Sequence, residues 1–580
     1  MRKIQIKNIK QDENKEIILF VLQRLDEMLF FYTKDTYKVK IFNTKILLSE
    51  YMHVMHQIDE DIIAEKNEEY IMEEIQWSLA NDKEAVELIG VPFYKNFQKN
   101  HGSLTRKARL NSIQYCLECL GNTKYLEKIK ENLKNSIRSK EKREIDRLLQ
   151  QFICETKSIG YDTRYIYSKL NQIFVGYQSV SIESIEQFID SFTVEEKKFD
   201  VIISEEKELA EYSIKALNAF ERKVSILDEK EISNEGLIYD NERLFIRLTD
   251  LTAFDEYALA ENIKSLLKSI ESFYLFYRHN GGEKEQCVYV KVGEKYKKID
   301  ESVKGVKKSA KVSSRIKSSK LAKELFVNSL FGDTNNLYLL SRIMEIHNTA
   351  MKMDSASNAL LDLWSIFELL LEKDSIEANR SRIEQIIMMV KPFLIKNYVH
   401  QLITYLIGDF KRCNESLYSQ TISDIKEGNT NEEKLFIFLS NKDYETNRKL
   451  LYGKLDENPL LRYRLFTISE SVKDGKSIKK LIDSHVQKIT WQIIRIYRAR
   501  NCIIHDGEKI PYIDDLVENL HNYIDELCKG LIDMITEPQS VASINTALYS
   551  HYINIDIYMS KLSEEYKECS STKMLYCKCD

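Results

Sequence analysis

The scarcity of proline and glycine is the feature of this sequence that most restricts what it can fold into. Only 5 prolines and 17 glycines occur among 580 residues. Both residues supply the turns of β-rich proteins, and proline interrupts helices, so their scarcity favours long helices. Apolar residues also recur at helical spacing, as Ile17, Val21 and Leu25 do near the start. The sequence therefore predicts a mainly α-helical protein.

The length of the chain predicts several domains, because 580 residues are too many for one hydrophobic core. Changes in composition and periodicity suggest where the boundaries fall. We expect a helical N-terminal domain at 1–150, an α+β region at 151–301, a basic linker at 302–323, an all-α helical bundle at 324–540 and a C-terminal tail at 541–580.

The middle region carries the strand signals. Apolar, β-branched runs at 199–203 and 286–292 predict two strands, the second introduced by turn residues at 280–282. The stretch 236–248 predicts a β-hairpin that turns near Asp240. In the C-terminal third, apolar periodicity predicts helices at 334–352, 355–373, 378–411, 477–505 and 512–536.

Composition and charge argue against several classes of protein. No stretch approaches 18 uncharged apolar residues, and the first residues lack the apolar segment of a signal peptide. The ten cysteines lack the spacing of a four-cysteine zinc site, so we expect reduced thiols and a cytoplasmic protein without a membrane partner. Because the net charge is −5, any contact with RNA depends on a local basic surface.

One segment provides such a surface. Residues 302–323 hold eight basic side chains and no acid. The segment is either a solvated linker or a strap that binds phosphates beside an active site, and the two roles are compatible. Its candidate RNA contacts are Lys307, Lys308, Lys311 and Arg315.

The stretch 490–507 carries the side chains with the clearest chemistry. Arg500 and Asn501 are followed by three residues and then by His505 and Gly507. On a helix, Asn501 and His505 project from one face, with Arg500 about a quarter-turn aside. An imidazole can move protons near neutral pH, and a guanidinium can hold the extra charge of a pentavalent phosphorane. These groups suit RNA cleavage by the ribose 2′-OH, which requires no metal and no other cofactor.

This stretch resembles the R-N-x3-H motif of the HEPN superfamily, in the form found in Apea-like HEPN domains. The features on both sides extend the resemblance. A glycine closes the helix after His505, an amphipathic helix follows from Leu516, and the upstream helix at 359–370 is similar to that group's early helix, whose single acid corresponds to Glu368 here. The resemblance covers 330–536 and implies a HEPN ribonuclease domain in the C-terminal helical bundle.

The resemblance also implies a function and a set of site residues. It implies a metal-independent endoribonuclease in which two copies of the motif form one cleft across a homodimer interface. Arg500 and His505 would be catalytic and Asn501 would orient them, with Glu368 and Arg498 in support. Arg495 is a candidate RNA contact, although Arg495 and Arg498 also fit solvated surface. Apea-like HEPN proteins are largely bacterial anti-phage or abortive-infection factors, so we expect a toxin whose N-terminal region senses a trigger, such as a phage component, or restrains the nuclease.

Alternatives remain open at this point. Arg342 and His347 also fit the motif spacing, but no asparagine follows Arg342 and no glycine follows His347, and we interpret them as a structural pair. A rival function is a HEPN module that binds RNA, a nucleotide or a partner protein without cutting, and another is a scaffold that dimerises. The sequence Gly475-Lys476-Ser477 lacks the first glycine of a phosphate-binding loop, so we set that motif aside.

Overall fold

The computed structural model is mainly α-helical, with one small β-sheet. No helix in the described part of the chain is long and apolar enough to cross a bilayer. The structure describes residues 13–29, 42–176, 180–219, 223–278, 286–299, 334–353, 355–371, 381–505, 510, 512–536, 544–566 and 571–577.

Helices alone make up the described N-terminal part. In chain order they are α1 (Lys15–Leu29), α2 (Thr44–Asp59), α3 (Lys66–Asn81), α4 (Lys83–Ile89), α5 (Val91–Asn100), α6 (Arg106–Leu120), α7 (Thr123–Arg138), α8 (Lys142–Ile159), α9 (Thr163–Gly176) and α10 (Ile182–Asp190), with a short 3-10 turn at His101–Ser103.

The middle part combines strands and helices, as predicted. Its elements are β1 (Lys197–Glu206), α11 (Lys207–Ala219), β2 (Val224–Ile226), α12 (Glu229–Asn234), β3 (Arg243–Ala253), α13 (Glu256–Arg278), β4 (Cys287–Val292) and β5 (Lys295–Lys298). The strands form one antiparallel sheet in the order β2-β3-β1-β4-β5.

Helices resume in the C-terminal part. They are α14 (Thr334–Lys352), α15 (Ala356–Leu370), α16 (Arg382–Lys396), α17 (Tyr398–Cys413), α18 (Glu415–Ser423), α19 (Asn431–Ser440), α20 (Glu445–Gly453), α21 (Pro459–Ser471), α22 (Gly475–His505), α23 (Ile513–Thr536), α24 (Ile544–Glu564) and α25 (Lys573–Tyr576), with a 3-10 turn at Lys442–Tyr444.

Two element predictions are wrong in an informative way. The predicted hairpin at 236–248 is a turn followed by a single strand, because the Asp240 side chain accepts a hydrogen bond from the Glu242 amide and β3 begins at Arg243. The strand β3 pairs with β1 and β2 instead of folding back on its own turn. The predicted helix at 378–411 is two helices, α16 and α17, which meet at Asn397.

The hydrophobic cores do not follow the predicted domain boundaries. One core combines buried residues from 17–192 with residues from 395–482 and 555–575, so it joins the two ends of the chain. A second core combines 340–394 with 489–548. The segment predicted as a C-terminal tail therefore contributes a packed helix, α24, to both cores. A smaller core lies between the sheet and the helices α11 and α13.

The helix α22 links the two large cores and positions the predicted motif. Ile478 and Ile482 belong to the first core, and the residues from Ile489 to Cys502 that face inward belong to the second. Its first residue, Gly475, lies against the end of α24, where a Cβ would come within 2.7 Å of the Leu562 carbonyl oxygen. The glycine is thus required by packing at a helix start, in agreement with setting aside a phosphate-binding loop there.

Candidate active site

The C-terminal end of α22 carries the three motif residues. The Nη1 atom of Arg500 donates a hydrogen bond of 3.0 Å to Oδ1 of its neighbour Asn501. Asn501 is buried, Arg500 is half-buried, and His505 is exposed as the last residue of the helix. The guanidinium of Arg500 is therefore held by a hydrogen bond, whereas the imidazole of His505 is exposed to solvent. Gly507, predicted to close the helix, lies outside the described residues.

The helix α15 contributes an acid to this site. Oε1 of Glu368 lies 3.4 Å from Nη2 of Arg500 and accepts a hydrogen bond of 3.1 Å from Nε1 of Trp364. Trp364 is fully buried and packs against the rings of Phe367 and Tyr497. A buried indole therefore holds the carboxylate that faces the guanidinium. Sequence reasoning singled out Glu368 but missed Trp364, although their i, i+4 spacing was available as a signal.

The contacts of Arg500 leave it able to bind an anion. A guanidinium has five N–H donors in a rigid plane; the hydrogen bond to Asn501 engages one of them, and Glu368 forms an ion pair with the group at 3.4 Å from Nη2. The remaining donors can bind phosphate oxygens, and the contacts with Asn501 and Glu368 orient the group in advance. Preorganised donors of this kind stabilise charge that develops during a reaction.

The surface roles expected for Arg495 and Arg498 are wrong, because both side chains are buried, with exposures of 1% and 4%. Nε of Arg495 contacts Oε2 of Glu50 at 2.8 Å, and its Nη2 contacts Glu74. Arg498 donates to the other oxygen of Glu50. These arginines join α22 to α2 and α3, and they cannot bind phosphate in this conformation.

The two glutamates in this buried network differ in their electrostatics. Burial alone would raise the pKa of Glu50, but the guanidinium groups of Arg495 and Arg498 outweigh it and lower that pKa. Burial dominates at Glu74 and raises its pKa, because Arg495 offsets the burial only in part. In addition, Oε1 of Glu74 has no hydrogen-bond partner within the described residues. Glu74 is therefore the weaker anchor of the network.

Other side chains of the N-terminal helices reach the motif itself. From α2, Nε2 of His53 lies 3.1 Å from Sγ of Cys502, and the Gln57 amide donates to the same sulfur at 2.6 Å. From α3, the Trp77 ring packs against Trp491 with centroids 5.5 Å apart. The N-terminal part thus covers α22 from its Trp491 turn to its Cys502 turn.

The N-terminal helices affect where a second copy of the chain could bind, because we expect the homodimer interface to centre on the motif stretch 490–507. Most side chains of this stretch are buried within one chain, namely Trp491, Gln492, Ile493, Ile494, Arg495, Ile496, Arg498, Ala499, Asn501 and Cys502. Within the described part of this range, 490–505, the exposed side chains are Ile504 and His505, at the very end of α22. A second copy of the chain would therefore have to approach this end, unless the N-terminal helices move.

The remaining predicted site residues lie elsewhere. Lys307, Lys308, Lys311 and Arg315 fall outside the described residues. Arg342 is exposed and forms an ion pair with Glu345 on its own helix, α14. His347 faces Asp525 of α23, so the second Arg–His pair of the sequence forms no joint site.

A cavity of about 950 Å³ lies in the middle region, between α9, α13 and the strands β1, β4 and β5. Six lysines line it together with two tyrosines, and Lys169 and Lys197 both lie over the Tyr165 ring, at 5.3 and 5.7 Å from its centroid. Three acids also line it, namely Asp200, Asp250 and Glu256. Ordered lysines beside aromatic rings favour an anionic ligand, and the acids limit how much negative charge the cavity can accept.

Comparisons of the chain with protein-family models, with curated proteins and with solved structures find no match. The resemblance to HEPN domains therefore depends on the motif at 500–505 and on the helices around it.

Proposed function

We propose that the protein is a metal-independent endoribonuclease that cuts RNA by attack of the ribose 2′-OH at the C-terminal end of α22. The observation that carries the proposal is the guanidinium of Arg500, which Asn501 and Glu368 orient within five residues of the exposed His505. A fixed cation and a solvent-accessible imidazole are the two groups that this reaction needs.

In the proposed mechanism, His505 moves the protons and Arg500 holds the charge. The imidazole accepts the proton of the attacking 2′-OH, and it or a second copy protonates the departing 5′-oxygen. The guanidinium binds the non-bridging phosphate oxygens, whose negative charge grows as the phosphorane forms. Asn501 and Glu368 act as positioning residues for Arg500. The products would be a 2′,3′-cyclic phosphate and a free 5′-hydroxyl.

The N-terminal part is proposed to restrain the nuclease. Its helices α2 and α3 hold α22 through Glu50 and Glu74, and α2 also contacts Cys502, the residue after Asn501. A movement of these helices would shift the helix that carries the site. The lysine-lined cavity is a candidate position for an anionic trigger in the middle region. We place the protein among cytoplasmic anti-phage or abortive-infection toxins, in line with the resemblance to Apea-like HEPN proteins, and we propose a phage-derived component as the trigger.

A homodimer belongs to the same proposal. Two sites that meet at the exposed ends of α22 would supply two imidazoles, one for each proton transfer. Activity would then fall when the protein is diluted below the dissociation constant of the dimer.

The decisive experiment measures cleavage of end-labelled RNA by the purified full chain in the presence of EDTA, with circular dichroism to show that the chelator leaves the fold intact. We expect cyclic-phosphate products from the wild type and none from His505→Ala. Arg342→Ala is the matched control, because it removes an exposed arginine that belongs to the second Arg–His pair. Undiminished cleavage by His505→Ala contradicts the proposed site.

The rival proposal is a module that binds RNA, a nucleotide or a protein without cutting it. The ion pair between Arg500 and Glu368 favours it to some degree, because the carboxylate partly neutralises the guanidinium. RNA that binds to the wild type in a gel-shift assay but stays intact over hours would support this alternative.

A further inference from the structure

Three potential metal ligands from two helices meet away from the motif residues. His347 comes from α14, whereas His521 and Asp525 lie one turn apart on α23. Their ligand atoms all lie within 4.8 Å of one another. Because i and i+4 residues share a helix face, α23 presents two ligands together, and α14 adds the third.

The distances within this cluster are longer than good hydrogen bonds. Oδ1 of Asp525 lies 3.5 Å from Nε2 of His347 and 3.8 Å from Nε2 of His521. Hydrogen bonds from nitrogen to oxygen span about 2.7–3.2 Å. Nε2 of His347 is buried, and it makes no hydrogen bond within the described residues. The buried imidazole nitrogen of His347 and the carboxylate of Asp525 thus form only a long contact.

The shorter of these two distances suits ligands of one metal ion, and the 3.8 Å between His521 and Asp525 is slightly longer than that spacing. At bond lengths of about 2.0–2.2 Å, two ligands of a tetrahedral zinc ion lie roughly 3.3–3.6 Å apart. The two imidazole rings are nearly parallel, with centroids 5.0 Å apart and planes inclined by 25°.

The surroundings also fit a metal site. The His521 side chain is 3% exposed, and those of His347 and Asp525 are 20% and 23% exposed, so the cluster is sheltered on one side and accessible on the other. Two imidazoles with one carboxylate suit zinc and related divalent transition metals and disfavour magnesium and calcium, which prefer oxygen ligands.

We propose that His347, His521 and Asp525 bind one divalent transition-metal ion, with zinc as the expected occupant, and that the ion joins α14 to α23. The ion has a structural role in this proposal, and the proposed RNA cleavage does not involve it. The proposed metal site can therefore be tested independently of the proposed nuclease activity.

The test uses the full chain, stripped with a chelator and then dialysed against limiting zinc. We expect about one zinc ion per wild-type chain and a melting temperature that rises with zinc concentration. His347→Gln and Asp525→Asn change little volume, and each should weaken zinc binding by more than the ~10–100-fold typical of losing a group behind a metal ligand. Arg342→Ala, on the same helix as His347, should bind zinc like the wild type.

Cobalt substitution separates this site from the cysteines of the chain. Cobalt bound by two imidazoles and a carboxylate shows visible d–d absorption without the intense near-ultraviolet band of a thiolate ligand. The proposal is overturned by a wild type that binds no zinc, by variants that bind it as the wild type does, or by a thiolate band in the cobalt spectrum. Circular dichroism of each variant confirms that any loss of binding occurs in a folded chain.

Discussion

Arginine side chains in two neighbouring parts of α22 have opposite environments. In the inner part of α22, Arg495 and Arg498 are buried and bind acids of α2 and α3. At its outer end, Arg500 is half-buried and lies near the exposed His505. The arginines lie within five positions of each other. An arginine-rich helix therefore does not reveal which guanidinium groups hold the fold together and which remain available to a substrate.

The largest expected effect is on catalysis at the outer end. Arg500→Ala and His505→Ala should each lower the rate of RNA cleavage by about 10²–10⁴, because they remove charge stabilisation or proton transfer. The free energy of unfolding should change by only about 0.5 kcal/mol, since neither side chain is buried in a core. Single-turnover cleavage and urea denaturation of the same preparations measure both quantities. A large loss of stability in either variant would remove the distinction between the two parts of the helix.

Substitutions in the inner part of α22 should instead produce a large change in the free energy of unfolding. Arg495→Ala removes the hydrogen-bond partner of the buried Glu74 and leaves Glu50 with Arg498 alone, so we expect a loss of about 3–5 kcal/mol in the free energy of unfolding. Adding Glu74→Gln to Arg495→Met should restore part of the stability, because Glu74 is then uncharged and Glu50 keeps its ion pair with Arg498. If Arg495→Ala unfolds with the same midpoint as the wild type, the buried network does not hold the helices together.

Periodicity predicted most of what lies within single elements. The helices α14 and α22 begin and end within two residues of their predicted bounds, and the strands β1 and β4 contain or match the predicted runs. The helices α18 to α21 were missed, although Thr430 and Glu433 form a capping box at the start of α19 that the sequence displays. The break between α16 and α17 was also missed, because the turn at Asn397 contains no proline or glycine.

Contacts between distant segments were beyond sequence reasoning. Glu50 and Glu74 lie 445 and 421 positions from Arg495, and nothing in the local pattern pairs them. Arg500, Asn501 and His505 could be grouped because they lie within six positions of one helix, where a hydrogen bond joins Arg500 to Asn501. His347 was grouped with Arg342 by spacing, whereas the fold directs it to His521 and Asp525 on another helix.

A smaller effect should distinguish the two glutamates within the inner network. The pKa of Glu74 is raised, so its contribution to stability is present below about pH 4.5 and is lost as the pH rises through the folded-state pKa. The pKa of Glu50 is lowered, so its contribution is present above about pH 4.5 and is lost as the pH falls through its folded-state pKa.

Replacement by glutamine should therefore produce opposite trends. Relative to the wild type, Glu74→Gln should gain stability as the pH rises, whereas Glu50→Gln should lose it. Urea denaturation of the three proteins across the acidic to neutral range measures the difference directly. Parallel curves for the two variants would mean that the arginines share their charge equally between the glutamates.

The smallest expected effect concerns Glu368 at the outer end. This carboxylate competes with phosphate for Arg500, and both side chains are about a quarter exposed. Ion pairs in such positions contribute about 0.2–1 kcal/mol, which corresponds to roughly a 1.4- to 5-fold change in affinity. Glu368→Gln keeps an oxygen that can accept the hydrogen bond of Trp364 and removes the competing charge. We therefore expect RNA to bind more tightly, by up to about 5-fold at low salt.

Fluorescence anisotropy with the His505→Ala chain keeps the RNA intact, and Glu368→Gln in that background is compared with the same change at Glu345. Glu345 is the matched control, because it forms an exposed ion pair with Arg342 and should leave RNA affinity unchanged. Because salt screens an exposed charge, the gain from Glu368→Gln should shrink as the ionic strength rises. Weaker binding by this variant would mean that the carboxylate positions Arg500 more than it competes for it, and the outer arginine would then depend on an acid much as the inner ones do.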